Sequence, residues 1–109
     1  MKLTVTGRHL KITDGIREHL DKAIARHVTP FVEGPGDIHV CLSVEKERHD
    51  AEITVKSKGF SAHAQHETHD LYSAIDGVVQ KIEKQLKKHK ERLITLKNKK
   101  SAQVKQQSS

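Results

Sequence analysis

The chain has 109 residues with a formal net charge of +6, 34% hydrophobic and 3% aromatic content, which fits one small domain with an aliphatic core. No apolar run approaches the length of a membrane span, and the opening MKLTVTG lacks the apolar segment of a signal peptide. The lone Cys41 excludes an intramolecular disulfide and fits a reducing cytoplasm.

Lys2 to Thr6 alternates polar and apolar residues, with Leu3 and Val5 on one side, and predicts a first strand ended by Gly7. Arg8 and His9 follow in the loop. Thr13 is the expected N-cap of a helix running to about Val28, with Asp14 in the first turn, where the helix dipole favours negative charge. Ile16, Leu20, Ala23, Ile24 and His27 form its apolar stripe, and His19, Lys22 and Arg26 line a flank. Arg17 sits among Asp14, Glu18 and Asp21, the setting of a local ion pair. Pro30 stops the helix.

Glu33-Gly-Pro-Gly-Asp37 reads as a loop. Ile38, Val40, Leu42 and Val44 alternate with polar residues in a half-buried strand. Lys46 to Asp50 is the expected turn. Ile53 and Val55 mark the next strand, Ser57-Lys58-Gly59 a second turn, and Phe60, Ala62 and Ala64 the last strand. The open side of the sheet is expected to carry Thr4, Cys41, Ser43, Thr54 and His63.

A second helix starts near Asp70. Leu71, Ile75, Val78, Ile82, Leu86, His89 and Leu93 fall on one stripe at steps of three and four. Lys81, Lys84, Lys88 and Arg92 lie in one arc beside it, while Lys87 and Lys90 fall elsewhere on the exposed surface. The charge is uneven. Residues 1–80 hold 10 Lys/Arg against 12 Asp/Glu, and residues 81–109 hold 10 against 2. That asymmetry points to an anionic partner, nucleic acid or an anionic membrane, against the plainer reading of a solvated helix face. Residues 1–95 are expected to form the domain and 96–109, rich in Lys, Gln and Ser, a basic disordered tail.

The element order β-α-β-β-β-α predicts an α+β two-layer sandwich. Its sheet is four-stranded and mixed, the first strand pair parallel and the rest an antiparallel meander, with both helices on one face. Side by side, the helices are expected to turn their basic flanks toward one another across a groove that a phosphate backbone follows. The scarcity of aromatics favours recognition of RNA shape and phosphates over base stacking, with Tyr72 the one stacking residue available.

Nine histidines raise the question of a metal. His63, His66 and His69 are three apart, but a regular strand sends His63 and His66 to opposite faces, and CxxC and HExxH are absent. At most an adventitious surface site is expected, with no functional metal and no cofactor. No Ser sits in a GxSxG elbow and no Gly-rich phosphate loop follows a strand, so no enzyme activity is expected. Asp70 and Asp76 suit helix capping and dipole effects better than acid–base work. Gly77, inside the helix, costs roughly 1 kcal/mol against Ala.

Four stretches carry a family resemblance: KLTVTGRHLKIT, GIREHLDKAIARH, VCLSVEKERHDAEITV and, most specifically, DLYSAIDGVVQKIEKQLKKHKERL. Over about residues 1–95 the chain resembles the short ribosome hibernation-promoting factors, the family of the ribosome-associated inhibitor protein Y, also known for sigma-54 modulation. The resemblance implies the same β-α-β-β-β-α fold, similar to double-stranded-RNA-binding domains. It implies binding to the small ribosomal subunit and its 16S rRNA in the decoding region, blocking mRNA and tRNA sites and inhibiting translation in stationary phase or stress. It further implies pairing of whole ribosomes into inactive dimers with a small modulation factor.

The implied RNA-binding positions are Arg17, Lys22, Arg26, Lys81, Lys84 and Lys88. Arg92, Lys87 and Lys90 come from the charge ladder, and Asp70, Tyr72 and Asp76 match the helix-start motif. Two departures matter. The chain is too short for the C-terminal dimerisation domain of long members, and its tail is basic where that of protein Y is acidic. The free protein is expected to be a cytoplasmic monomer without membrane contact. The alternative is a protein-interaction modulator of a sigma factor, in which the same helix meets an acidic protein surface.

Overall fold

A computed structural model describes residues 2–32 and 34–102, with side chains as far as Glu91. The elements in chain order are β1 (Lys2–Arg8), α1 (Asp14–His27), a 3-10 turn (Thr29–Phe31), β2 (Gly36–Glu45), β3 (Arg48–Ser57), β4 (Phe60–Thr68) and α2 (Leu71–Ala102). The sheet order is β1-β2-β3-β4, with β1 parallel to β2 and the other neighbours antiparallel. This is the expected sandwich.

Alternation on the strands decides which face is covered. Ile38, Val40 and Leu42 of β2, Ala51, Ile53 and Val55 of β3, and Ala62 and Ala64 of β4 are all buried on one side. Leu20 and Ile24 of α1 and Ile75, Val78, Ile82 and Leu86 of α2 close that side into a single core. Each helix stripe is about 100° wide, so burying it against the sheet fixes which flank of the helix faces its neighbour.

The helix starts are capped as their sequences predict. Thr13 Oγ1 accepts from the Ile16 N–H at 3.2 Å. Asp70 Oδ2 accepts from the Ser73 N–H at 2.9 Å and from the Ser73 hydroxyl at 3.0 Å. Those donors favour the ionised form, and they hold the Asp70 carboxyl below its usual range.

Several boundaries differ from expectation. Gly7 does not end β1; it pairs with Leu42, and Arg8 pairs with Ser43. A side chain at Gly7 would start 2.8 Å from the Leu10 carbonyl oxygen, so the glycine serves a close backbone approach. The stretch Lys46 to Asp50 is mostly strand. Glu45 pairs directly with Arg48, and Lys46 takes the left-handed φ of 58° in a two-residue turn. The polar residues His49 and Asp50 hid this pairing. Finally, the boundary expected after residue 95 falls inside α2, whose backbone includes 96–102. Nothing from Leu93 to Ala102 breaks a helix, since Gly and Pro are absent there. Residues 103–109 of the expected tail lie outside the described residues.

Candidate nucleic-acid interface

The two helices run side by side, their starts together. Gly15 near the start of α1 lies against the Tyr72 hydroxyl at the start of α2. The His19 ring meets Tyr72 edge-on at 4.9 Å, and its Nε2 donates to Asp76 at 2.8 Å. Two turns further along, His27 Nδ1 donates to Glu83 at 2.6 Å. The seam is therefore stitched by two histidine–carboxylate bonds. Glu83 also pairs with Lys87 at 3.1 Å. Its carboxyl is held below the usual range, first by the His27 hydrogen bond and then by Lys87, against the opposing effect of burial.

This arrangement corrects the expected groove between facing basic flanks. The side of α2 that meets α1 carries Tyr72, Asp76 and Glu83. Lys81 is about 200° around the helix from Glu83. It points instead to the free edge of β4, where its Nζ donates to the Gln65 carbonyl at 2.8 Å. Gln85 continues that edge, donating to the His63 carbonyl at 2.7 Å and accepting from the His63 N–H at 3.4 Å. The side chains of α2 thus satisfy backbone groups that an edge strand otherwise leaves open.

The predicted cations have different fates. Arg17 pairs with Asp21 at 3.1 Å, on the flank of α1 turned away from α2. Lys22 pairs with Glu18 at 3.3 Å. Lys87, besides Glu83, sits 5.4 Å from the Phe31 ring centroid. Exposed pairs of this kind are worth about 0–1 kcal/mol, so a phosphate can displace them. Arg26, Lys84 and Lys88 are exposed and, among the described residues, have no carboxylate within 4 Å. Lys90 is exposed near the open end of the sheet. The Arg92 side chain lies outside the described residues. By helical position Lys22 and Arg26 lean toward the seam and Lys84 and Lys88 toward the β4 edge.

Of the helix-start motif, Asp70 caps, Asp76 bridges to α1, and Tyr72 is 42% exposed beside His19. Tyr72 therefore does not pack on the sheet. The seam residues His19, His27 and Glu83 and the edge residue Gln85 were not singled out as structural partners in the sequence. Their spacing holds a signal, since His19 and His27 are eight apart and Asp76 and Glu83 seven, both near two helical turns. Only the packing of the helices pairs them.

Two further histidines, His63 and His66 of β4, lie on opposite sides of the sheet. His63 is on the open face, where Nε2 donates to Glu52 at 3.1 Å and Nδ1 accepts from the Thr54 hydroxyl at 3.0 Å. His66 is turned to the helices and lies under Gly77. Among the described residues no three His, Cys, Asp or Glu side chains converge as metal ligands do. No helix among them is long and apolar enough to cross a membrane.

Comparison with known proteins places this geometry in context. Residues 3–94 match the family described as Sigma 54 modulation protein / S30EA ribosomal protein. The ribosome hibernation promoting factor of Escherichia coli (strain K12) is 36% identical over 93 residues, 85% of this chain and 97% of that protein. The protein of the same name from Pseudomonas putida is 33% identical over 92 residues, 84% of this chain and 89% of that one. Among solved structures, a ribosomal subunit interface protein from Coxiella burnetii superposes with a TM-score of 0.75 at 28% identity, covering 84% of this chain and 99% of that chain. The N-terminal domain of Thermus thermophilus protein Y gives 0.72 at 38% identity, covering 81% and 94%.

Proposed function

This chain belongs to the Sigma 54 modulation protein / S30EA ribosomal protein family, and from that membership we propose that it is a ribosome hibernation factor. It binds the small ribosomal subunit in the decoding region, on 16S rRNA. There it occupies the path of mRNA and tRNA and inhibits translation in stationary phase or stress. It works in the cytoplasm by occupancy, without a catalytic step, and arrives as a monomer. Together with a modulation factor it favours inactive ribosome dimers.

The observation that carries this reading is the cationic outer surface of the helix layer. Lys84 and Lys88 lie off the buried stripe and, among the described residues, have no carboxylate to neutralise them. Lys22, Arg26, Lys81 and Lys87 extend the surface, with Lys90 at its end. Exposed cations along a two-helix layer suit a phosphate backbone, whose binding falls steeply with salt through counterion release. Arg17, on the far flank of α1, belongs to a separate contact in this scheme.

Co-sedimentation of the protein with small subunits and whole ribosomes across a salt series tests it, with and without mRNA and tRNA. Binding is expected to weaken with salt and to be displaced by those ligands. The double variant Lys84→Glu, Lys88→Glu is expected to lose most of the binding. Its slope of log affinity against log salt should shrink by about two, and its thermal midpoint should be unchanged. Equal binding by that variant would remove the proposed surface. Absence of binding at low salt would remove the ribosome altogether and turn attention to an acidic protein such as a sigma factor, which added ribosomal RNA would not then displace.

A further inference from the structure

The two phenylalanines, 29 positions apart in sequence, meet at one end of the molecule. Phe31 from the 3-10 turn and Phe60 from the start of β4 line a solvent-open cavity of about 250 Å³ together with Leu86 and His89 of α2. The His89 and Phe60 rings are stacked, with centroids 3.9 Å apart and planes 21° from parallel. All three rings are half-buried rather than sealed in the core. Lys58 and Lys90 stand at the same cavity, and Lys87 sits over the Phe31 ring. No carboxylate among the described residues lines it.

We propose that this cavity is a nucleotide-binding site that takes one unpaired base of an RNA strand, stacked against the aromatic walls, with its phosphate at the lysines. The inference rests on the RNA-binding reading above and extends it from phosphates to a base. Its occupant is argued from charge and shape together. Aromatic walls accept a flat ring, and among the described residues the charged side chains that line the cavity, Lys58 and Lys90, are positive, which matches a base that carries its own anion. Position adds to this. Leu86, His89 and Lys90 lie within about one turn of Lys87 and Lys88 and within about two of Lys84. A strand whose phosphates follow the cationic helix therefore reaches the cavity without leaving the protein surface. Stacking of this kind tolerates any base, so the site holds the strand without choosing its sequence.

Titration of the full chain with adenosine monophosphate, followed by NMR at the Leu86 methyls and the Phe60 and His89 rings, tests the site. Saturable shifts at those signals are expected, and inorganic phosphate at the same concentrations should not reproduce them. His89→Ala should weaken binding of the nucleotide about tenfold, the effect of removing one stacking ring. Lys58→Glu should weaken it as well. This second variant lies in an exposed turn and keeps the test open if the first fails to fold.

Absence of shifts with the nucleotide, shifts equal to those of phosphate alone, tighter binding of a poly-glutamate peptide at the same signals, or parental affinity in both cavity variants would overturn the inference. The two proposals fail separately. A chain that co-sediments with ribosomes but ignores the nucleotide keeps the ribosome reading and loses the cavity. One that binds the nucleotide but not ribosomes keeps the cavity and loses the ribosome.

Discussion

Replacing Gly77 by alanine sets two effects of known size against each other. In an open helix the change is favourable by about 1 kcal/mol, since glycine has more backbone freedom to lose. Here the new Cβ would start 2.8 Å from Cγ of His66 and 2.5 Å from its Nε2. Rotating the His66 ring about its own bond does not move Cγ, so relief requires a new χ1 or a shift of α2 away from β4. Neither is free. His66 stands on β4 opposite the buried Ala51, and the neighbours of Gly77 on the helix, Ile75, Val78 and Val79, are fully buried. Overpacking of this kind costs about 1–3 kcal/mol. The net expectation for Gly77→Ala is a loss of about 1 kcal/mol, or roughly 4–8 °C in the thermal midpoint of a domain this size. In a His66→Ala background the obstruction is gone, and the same substitution should stabilise by about 1 kcal/mol. A double-mutant cycle by urea denaturation, read by circular dichroism, should therefore return a coupling of about 2 kcal/mol. A stabilising Gly77→Ala in the parent, with zero coupling, would show that His66 swings aside freely and would refute this reasoning.

Two further outcomes follow from the same packing. Ile82 is fully buried where α2 crosses the sheet, and Ile82→Ala should cost about 3 kcal/mol through lost burial and a residual cavity; a loss below about 1 kcal/mol in urea titration would mean that the helix is not seated as described. Glu83, held below its ordinary value of 4.5 chiefly by His27, contributes stability that is present above that value and lost as pH falls through its lower folded one. Glu83→Gln should therefore lower stability at pH 6 by about 1 kcal/mol and flatten the decline between pH 5 and 3. A parent and variant whose urea midpoints fall in parallel would exclude the seam as a source of acid sensitivity.

The elements and their order were legible because each one writes its own periodicity. The two-residue alternation of Ile38 to Val44 and the three-and-four spacing from Leu71 to Leu86 depend only on which side of a strand or helix is buried. Thr13 and Asp70 announced the helix starts, since a cap is made with residues three positions away. Boundaries blurred where polar residues sit inside a strand, as at His49 and Asp50, or where a helix-compatible stretch continues past the last recognisable stripe, as in 96–102.

The cations of the candidate surface were likewise legible as a ladder, but their partners were not. Periodicity places Lys81 on a flank without saying whether that flank meets α1 or the edge of β4. Only the seating of α2 across β3 and β4 turned Lys81 and Gln85 to the strand edge, joined His19 to Asp76 and His27 to Glu83, and laid His66 under Gly77. The same seating brought Phe31 and Phe60 to one cavity with His89. The sequence by itself determined the elements, the face each one buries and the net charge of the last helix, all of which are set by neighbours a few positions away. The tertiary structure alone decided which flank faces which, because that follows from two buried stripes sharing one sheet, a constraint between residues more than fifty positions apart.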